Sequence, residues 1–395
     1  MKPIEHSGTD PTYDVLGSDY IKSPYPVWDD LRQSCPVARS DEHGGSVLPT
    51  TWDAIAEVAY DTVRFSSADV LVLPPTTAKA FFAPPITSDP PIHAEARRIL
   101  LPHFSPKAVE RLRPATQAAA NSLIDAIEHQ SVVDAAAEYS RHIPVRVIAA
   151  MLGVPASDEP QFLDWAIKVF QPSVDDPEAG RLATREMLTY FEQVVERRSQ
   201  ELDGEDLISQ LLMAKIDGAP LTPKHVLGTC VLLLMAGIDT TWSSLSACLL
   251  HLATHTQDRD RLVADPALLP AAIEEFLRAY APVTMARVAT QDTEIAGCPV
   301  RHGDKVLLSF PAGNRDPNKF SNPNDVIIDR EKNRHFAFGL GIHRCVGSNL
   351  ARMELQVAIS TWLQRFPNFS LAPGAEIRWG GAQVRGPREV PVLLR

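Results

Sequence analysis

The longest apolar segment of the chain follows Thr222-Pro223 and reads KHVLGTCVLLLMAGIDTTWSSLSACLLHLATH. Threonine followed by proline is typical of the N-cap and first turn of a helix, so a helix is predicted from there to about residue 255. Its residues are apolar on nearly all sides, as in helices that cross the middle of a core. The continuous apolar run VLLLMAGI is too short to cross a bilayer. The segment therefore predicts a soluble fold built around one buried central helix.

Helical patterns extend almost continuously from Ser105-Pro106 to the end of that helix, whereas strand patterns are sparse until late in the chain. Two alternating runs in TEIAGCPVRHGDKVLLSF, residues 293–310, flank a His-Gly-Asp turn, and VPVLLR, residues 390–395, predicts a further strand. The expected fold class is mainly α with small β-sheets. No repeat or linker divides the 395 residues, so length alone allows one large domain or two to three ordinary ones.

The composition limits which classes of partner the protein can bind. The net charge of −11 argues against a broadly basic surface, and so against a binder of nucleic acid or of anionic membranes. The five cysteines are widely spaced and include no CxxC pair, which fits a reducing compartment. The N-terminal MKPIEHSGTDPTYD lacks the basic and then apolar order of a signal peptide. We expect a soluble, cytoplasmic protein that binds neither nucleic acid nor membranes.

One cysteine, Cys345, lies in FGLGIHRCVG, residues 338–347, beside three glycines, a histidine and an arginine. A GxGxxG dinucleotide loop is excluded because Arg344 stands where its third glycine belongs. A zinc site would lack two further ligands at zinc spacing, and a nucleophilic cysteine normally takes its base from elsewhere in the fold rather than from His343, two residues away. An axial thiolate ligand of haem iron fits best, because glycines let backbone N–H groups approach the sulfur.

The same ten residues resemble the haem-binding loop of the cytochrome P-450 family, FGxGxHxCxG. The matching fixed positions are Phe338, Gly339, Gly341, His343, Cys345 and Gly347. The resemblance implies haem b (iron protoporphyrin IX), with Cys345 as the axial iron ligand and His343 directed toward a haem carboxylate. It also implies a single haem domain over residues 1–395 without a fused reductase, with the haem between the central helix and the cysteine loop.

Within the central helix, AGIDTT, residues 236–241, resembles the family's oxygen-activation motif and implies that Asp239 and Thr240 relay protons. An ordinary buried helix, bent by a threonine that bonds to a carbonyl one turn earlier, would have the same residues. An Asp-Thr pair in so apolar a helix is costly to bury unless its polar groups have partners or a chemical task. Together with Cys345, the motif favours the catalytic interpretation.

Further segments resemble parts of the family that hold the haem and its loop. DPPIHAEARR and PVTMARVAT resemble segments that bind the haem propionates, and EEFLRAY, with the later PNDVIIDR, resembles a buried structural cluster that supports the cysteine loop. The expected propionate partners are His93, Arg97 and Arg287. The expected structural cluster is Glu275, Arg278 and Arg330.

The resemblance implies a monooxygenase that uses O2 and two electrons to hydroxylate or O-dealkylate a small-to-medium hydrophobic substrate, such as an aromatic or terpenoid molecule. The electrons would come from NAD(P)H through a separate ferredoxin or flavodoxin with its reductase, and the enzyme is expected to be a monomer. A basic patch for this partner would comprise Arg97, Arg98, Arg344 and Arg352. The alternatives are a haem-thiolate isomerase or dehydratase of the same fold, and a non-catalytic gas sensor that would not need Asp239 and Thr240.

The substrate pocket is expected to be apolar, because the segments that line it by family position carry almost no charge. They are the loop over residues 68–88, the face of the central helix one and two turns before Thr240, and segments near residues 283–285 and 382–384. The residues expected to line the pocket are Leu73, Phe81, Phe82, Leu232, Ala236, Val283, Met285 and Val384.

Overall fold

The computed structural model describes residues 12–73, 82–170, 177–201, 204–216 and 218–394. The α-helices there are α1 (Ser18–Lys22), α2 (Tyr25–Ser34), α3 (Trp52–Tyr60), α4 (Ile92–Leu100), α5 (Pro106–Glu110), α6 (Arg113–Ile127), α7 (His142–Leu152), α8 (Glu159–Phe170), α9 (Pro177–Gln200), α10 (Leu207–Met213), α11 (Pro223–Thr254), α12 (Thr256–Ala264), α13 (Leu269–Ala279), α14 (Phe310–Gly313) and α15 (Ser348–Arg365). The strands are β1 (Val37–Ser40), β2 (Ser46–Pro49), β3 (Phe65–Ser66), β4 (Val132–Asp134), β5 (Lys215–Ile216), β6 (Ala219–Pro220), β7 (Thr284–Ala289), β8 (Thr293–Ile295), β9 (Cys298–Val300), β10 (Lys305–Ser309), β11 (Ser370–Leu371), β12 (Trp379–Gly380), β13 (Gly386–Pro387) and β14 (Pro391–Leu393). The predicted mainly α class with small sheets is confirmed.

The central helix α11 begins where the sequence predicts. The Thr222 side chain accepts a hydrogen bond from the backbone N–H of His225, and Pro223 is the first helical residue. The helix packs against α7, α9 and α15. By length and composition alone α11 could cross a membrane, but 72% of its most apolar window is buried inside the protein. It is therefore the core helix around which the site is built.

The largest sheet joins distant parts of the chain. Its strand order is β1-β2-β10-β7-β3, and β10 pairs antiparallel with β7 and parallel with β2. The predicted late strands correspond to β8, β9, β10 and β14. The sequence prediction missed the early strands β1 to β4, because these strands of two to four residues pair largely with segments far along the chain and carry little local pattern.

Glu354 lies in α15 with its side chain in the core and is 3% exposed. Its Oε2 atom has no hydrogen-bond partner among the described residues. Burial raises the pKa of this carboxyl to about 8. The unfolded chain loses the same proton near pH 4.3 (roughly the free value), so the folded protein binds more protons between these values. Glu354 is therefore expected to lower stability progressively as the pH rises through that window.

Replacing Glu354 by glutamine keeps the side-chain shape and removes the titration. We expect the melting temperature of Glu354→Gln to exceed that of the wild type by about 5 °C at pH 8, and by less at pH 5. Thermal unfolding at both values measures the difference. The matched control is Glu376→Gln, which changes an exposed carboxylate. A difference of equal size at pH 5 and pH 8 would contradict the assignment.

Candidate active site

Cys345 lies in the loop between α14 and α15, held by backbone hydrogen bonds. Its N–H donates to the carbonyl oxygen of Phe338 at 2.7 Å, and the N–H of Gly347 donates to its sulfur. Gly339 and Gly341 have φ values of +71° and +64°. A Cβ at Gly341 would also lie 2.5 Å from the Ala59 carbonyl oxygen. The loop therefore requires glycine for its conformation and its approach to α3.

Cys345 lies three residues before the start of α15. Part of the residue's surface is accessible. Protein packing around the thiol nevertheless raises its pKa, while the N–H of Gly347 and the charges of Arg97 and Arg344 oppose the rise. Both opposing influences favour the thiolate, which is the form that binds iron.

Four side chains predicted to bind propionates converge near the cysteine loop. The ring centroids of His93 and His343 are 4.3 Å apart, and His343 Nε2 lies 2.8 Å from Ser67 Oγ. Burial, together with the charges of Arg287 and Arg97, lowers the pKa of His343 to about 2. The side chain of Arg97 also donates to the Arg344 carbonyl, which brings it onto the cysteine loop.

This cluster fits a ligand that carries carboxylates. The Nε2 atom of His93 is buried without a hydrogen-bond partner among the described residues. Arg287 is 4% exposed, and Nη1 donates to the Ala286 carbonyl oxygen at 2.7 Å. No carboxylate of the described residues forms an ion pair with Arg287, and burial lowers the pKa of its guanidinium to about 10. Desolvated donors of this kind beside a cysteine thiol match the propionates and iron of haem.

The relay residues predicted on α11 lie side by side but face different partners. The hydroxyl of Thr240 donates to the Ala236 carbonyl oxygen at 2.8 Å, one turn earlier. Asp239 is completely buried, and both of its carboxylate oxygens bind the guanidinium of Arg388. Burial raises the pKa of the Asp239 carboxyl, and Arg388 opposes that rise.

Arg388 is a residue that the sequence analysis did not single out. Its guanidinium donates to Ser243 Oγ at 3.2 Å and to the Val384 carbonyl oxygen at 3.1 Å, and it lies 4.8 Å from the centroid of the Trp242 ring. A Cβ at Gly380 would collide with the Nε atom. The carboxylate is therefore paired with a cation that several elements hold in place. From the sequence one can infer only that a buried aspartate needs a cationic partner. This requirement does not identify the partner among 38 lysines and arginines.

The predicted structural cluster lies together in the core. Glu275 and Arg278 are both 0% exposed, and two nitrogens of Arg278 donate to the two carboxylate oxygens of Glu275 at 2.8 Å each. Arg330 Nε donates to Oε2 of Glu275 at 3.0 Å. Asn333, which the sequence analysis missed, donates to the same oxygen at 3.1 Å. The remaining donors of Arg278 bind backbone carbonyls of the segments that precede the cysteine loop.

Most of the predicted pocket residues lie near α11 and β7. Val283 pairs with Val384 in an isolated β-bridge. The side chain of Gln383 accepts a hydrogen bond from the Val72 N–H at 2.8 Å and donates to the Thr284 carbonyl oxygen at 3.0 Å and to the sulfur of Met285 at 3.1 Å. This one amide therefore links three segments that were predicted to line the pocket. The predicted residues on these segments are Leu73, Val283, Met285 and Val384.

The predicted positions on α11 are accessible to different degrees. Ala236 is exposed although its helix is buried, and Leu232 is partly buried. Phe82 was predicted to line the same pocket but contacts the start of α11, where its ring centroid lies 6.1 Å from that of His225. At 1.5 Å of rise per residue, that contact is about 10 Å along the helix from Leu232 and about 22 Å from Thr240. The place of Phe82 in the pocket stays a prediction. Phe81 lies outside the described residues.

Two arginines of the predicted basic patch form ion pairs with glutamates of the same chain. Arg352 makes a bidentate ion pair with Glu274 at 2.6 and 2.8 Å, and Arg98 pairs with Glu95 at 2.5 Å. The residue Arg344 is exposed on the surface beside the cysteine. The patch therefore carries less net positive charge than the four residues alone would suggest.

Comparisons with known proteins point to one family. The model of the family Cytochrome P450 matches residues 53–378. Cytochrome P450 CYP107DY1 from Priestia megaterium is 37% identical over 315 residues, covering 78% of this chain and 76% of the relative. Cytochrome P450 monooxygenase PikC from Streptomyces venezuelae is 32% identical, over 96% of this chain and 93% of the relative. The crystal structure of CYP109E1 from Bacillus megaterium in complex with testosterone has a TM-score of 0.88 and 32% identity, and the match covers 96% of this chain and 100% of that one.

The chain belongs to the cytochrome P450 family. It is a monooxygenase of the oxidoreductase class whose cofactor is haem b. As in the bacterial members, its co-substrate is O2, and its electrons come from NAD(P)H through a partner.

Proposed function

We propose that this enzyme hydroxylates or O-dealkylates a small-to-medium hydrophobic substrate, with Asp239 and Thr240 moving the protons that the reaction consumes. The observation that carries the proposal is the buried Asp239–Arg388 pair directly beside Thr240 on the central helix. Burial of such a pair is costly. An isomerase, a dehydratase or a gas sensor would have no use for a proton path to reduced oxygen, so the pair favours the monooxygenase over those alternatives.

Each residue of the relay has a separate task. When bound, haem supplies the iron at which O2 is reduced and from which one oxygen atom reaches the substrate. The hydroxyl of Thr240 donates its proton to the Ala236 carbonyl oxygen. Rotation of the Thr240 side chain would break this hydrogen bond and free the proton for another acceptor. Asp239 replenishes the proton as the acid partner. Arg388 is a positioning residue, since it fixes the carboxylate and opposes the rise of its pKa.

The variant Thr240→Ala tests the relay. We expect it to bind substrate with an unchanged spin-state spectrum, while product formed per NAD(P)H falls at least about tenfold and hydrogen peroxide rises. The matched control is Thr241→Ala, which removes the neighbouring buried hydroxyl and should leave coupling near the wild-type value. Equal coupling in both variants would refute the assignment. Turnover that continues without O2 and an electron donor would instead support an isomerase or dehydratase.

Removal of the Arg388 charge is expected to raise the pKa of Asp239 further. In Arg388→Met, the pH at which product per NAD(P)H is half maximal should move upward, because the opposite charge that favours the ionised carboxylate is lost. The control is Arg385→Met, because Arg385 donates to the Ile21 and Lys22 carbonyl oxygens and not to Asp239. A pH profile that does not move, in a folded variant that binds haem, would show that Arg388 serves packing alone.

The apolar character of the pocket segments supports a hydrophobic substrate. Val283, Met285 and Val384 are apolar, and Val283 pairs with Val384. The cation that contacts this segment, Arg388, has its charge paired with Asp239. A structural neighbour at 32% identity was solved with testosterone, an apolar molecule of medium size, which supports the same size range here. A screen of small hydrophobic compounds for a change of haem spin state tests the proposal. Responses confined to charged metabolites would overturn it.

The electron donor is proposed to be a separate ferredoxin or flavodoxin that binds beside the cysteine loop. Arg344 supports this surface because it is exposed and lies between His343 and Cys345 in the sequence. Ion pairing of Arg98 and Arg352 leaves a modest positive charge there, which suits a transient complex with an acidic partner. We further infer that residues 1–395 act as one haem domain, as a monomer in the cytoplasm.

A further inference from the structure

Two cysteines outside the active site lie in contact. Cys35 is the residue after the end of α2, and Cys298 is the first residue of β9. Their sulfur atoms are 3.8 Å apart although 263 positions separate them in the sequence. Both residues are partly accessible. Neither belongs to the haem loop, the proton relay or the predicted substrate pocket.

The fold brings these thiols together through a second, independent contact. Arg39 in β1 donates to the carbonyl oxygen of Pro299, the residue after Cys298, and forms an ion pair with Asp304 at 3.2 Å. Val37 lies in the same buried cluster as residues of β8 and β9. The segment that follows α2 is therefore held against the β8–β9 hairpin. The tertiary fold, and not a chance approach of two surface side chains, brings the two sulfur atoms into contact.

We propose that Cys35 and Cys298 form a redox-active pair, which hydrogen peroxide converts into an intramolecular disulfide that fastens the β8–β9 hairpin to the α2–β1 segment. A disulfide requires a sulfur–sulfur distance of about 2.05 Å, so the two atoms must approach by about 1.8 Å. Rotation of two partly accessible side chains can supply that movement.

The reaction balances with peroxide as the oxidant. One thiol loses its proton, and the thiolate attacks a peroxide oxygen. The O–O bond breaks, a sulfenic acid forms, and the departing hydroxide takes up the released proton to become one water. The second thiol then displaces the hydroxyl group, which leaves as a second water while the S–S bond forms. Two thiols are oxidised and one H2O2 is reduced. Unproductive turnover of a monooxygenase releases this oxidant, so the enzyme generates its own reagent.

The environment of Cys35 and Cys298 determines how the rate of their oxidation depends on pH. Burial and the neighbouring Cys35 thiol raise the pKa of Cys298, and the guanidinium of Arg39 opposes the rise. Because the thiolate is the attacking species, oxidation should accelerate as the pH increases. The cross-link would close a very long loop and restrict the unfolded chain, so it should stabilise the folded protein.

Peptide mapping of the oxidised holoenzyme tests the proposal. Trypsin releases Cys35 in the peptide of residues 33–39 and Cys298 in the peptide of residues 288–301, each with a single cysteine. After peroxide treatment and alkylation under denaturing conditions, we expect these two peptides as one species, two hydrogens lighter than their sum and separable by reduction. The melting temperature of the oxidised protein should rise by about 5 °C.

Single substitutions supply the controls. Cys35→Ser and Cys298→Ser should each abolish both the linked peptide and the rise in melting temperature. Cys248→Ala, which removes a thiol buried in α11, should retain both. Recovery of the two cysteines as alkylated thiols or as separate sulfinic acids would overturn the proposal, and so would a linked peptide found only in a covalent dimer on a non-reducing gel. These readouts are independent of catalytic activity.

Discussion

Glu275→Gln is expected to destabilise the protein by about 3–5 kcal/mol, the usual cost of removing one partner from a buried ion pair. Burial alone would raise the pKa of Glu275, but the hydrogen bonds from Arg278 and Arg330 outweigh it and lower the pKa. The amide cannot balance two guanidinium charges that are almost without access to water. Since these arginines also hold the backbone before the cysteine loop, haem retention should fall together with stability.

Urea unfolding of the purified protein and the haem content per chain measure these effects. The adjacent residue offers a matched control, because Glu274 also forms a bidentate pair with an arginine but its side chain is 32% exposed. Glu274→Gln should cost at most about 1 kcal/mol and should leave haem content intact. If the two substitutions cost the same, the cluster around Glu275 does not support the loop as described.

Cys345→Ala is expected to abolish turnover while leaving the fold in place. The thiolate is the donor that favours O–O cleavage in cysteine-ligated haem, and no other cysteine among the described residues lies in this loop. We expect the red-shifted spectrum of the carbon-monoxide complex to disappear and product formation to fall to background. The loss of one partly accessible sulfur should change the melting temperature of the apoprotein by only a few degrees.

The control for this substitution is Cys230→Ala, which removes a completely buried thiol from α11. That variant should keep the carbon-monoxide spectrum and the product yield, with a modest loss of stability from the small cavity. A Cys345→Ala protein that retained the red-shifted spectrum would show that another residue binds the iron.

The sequence predicted those parts of the site that lie within one loop or one turn of helix. The haem loop falls within ten residues, and the Asp239-Thr240 and Glu275–Arg278 spacings place each pair on a helix. Local spacing determines such geometry before the tertiary fold is known. The start of α11 was predictable for the same reason, because its capping residues are neighbours in the sequence.

Contacts between distant segments could not be predicted in the same way. Asp239 and Arg388 are 149 positions apart, and no local pattern distinguishes Arg388 from other arginines. The short strand β2 pairs with β10, far along the chain, and β1 joins the same sheet through β2. In each case the tertiary fold supplied the information that the local sequence lacked.

The single amide of Gln383 has a consequence for how the enzyme's selectivity can evolve. It links Val72, Thr284 and Met285 through three hydrogen bonds, so a substitution in one of the segments predicted to line the pocket changes the support of the others. Substitutions in neighbouring segments that share a partner are generally non-additive. Lineages, or laboratory libraries, that alter these segments one position at a time are therefore expected to meet strong epistasis, and a substitution at Gln383 should affect all of them together.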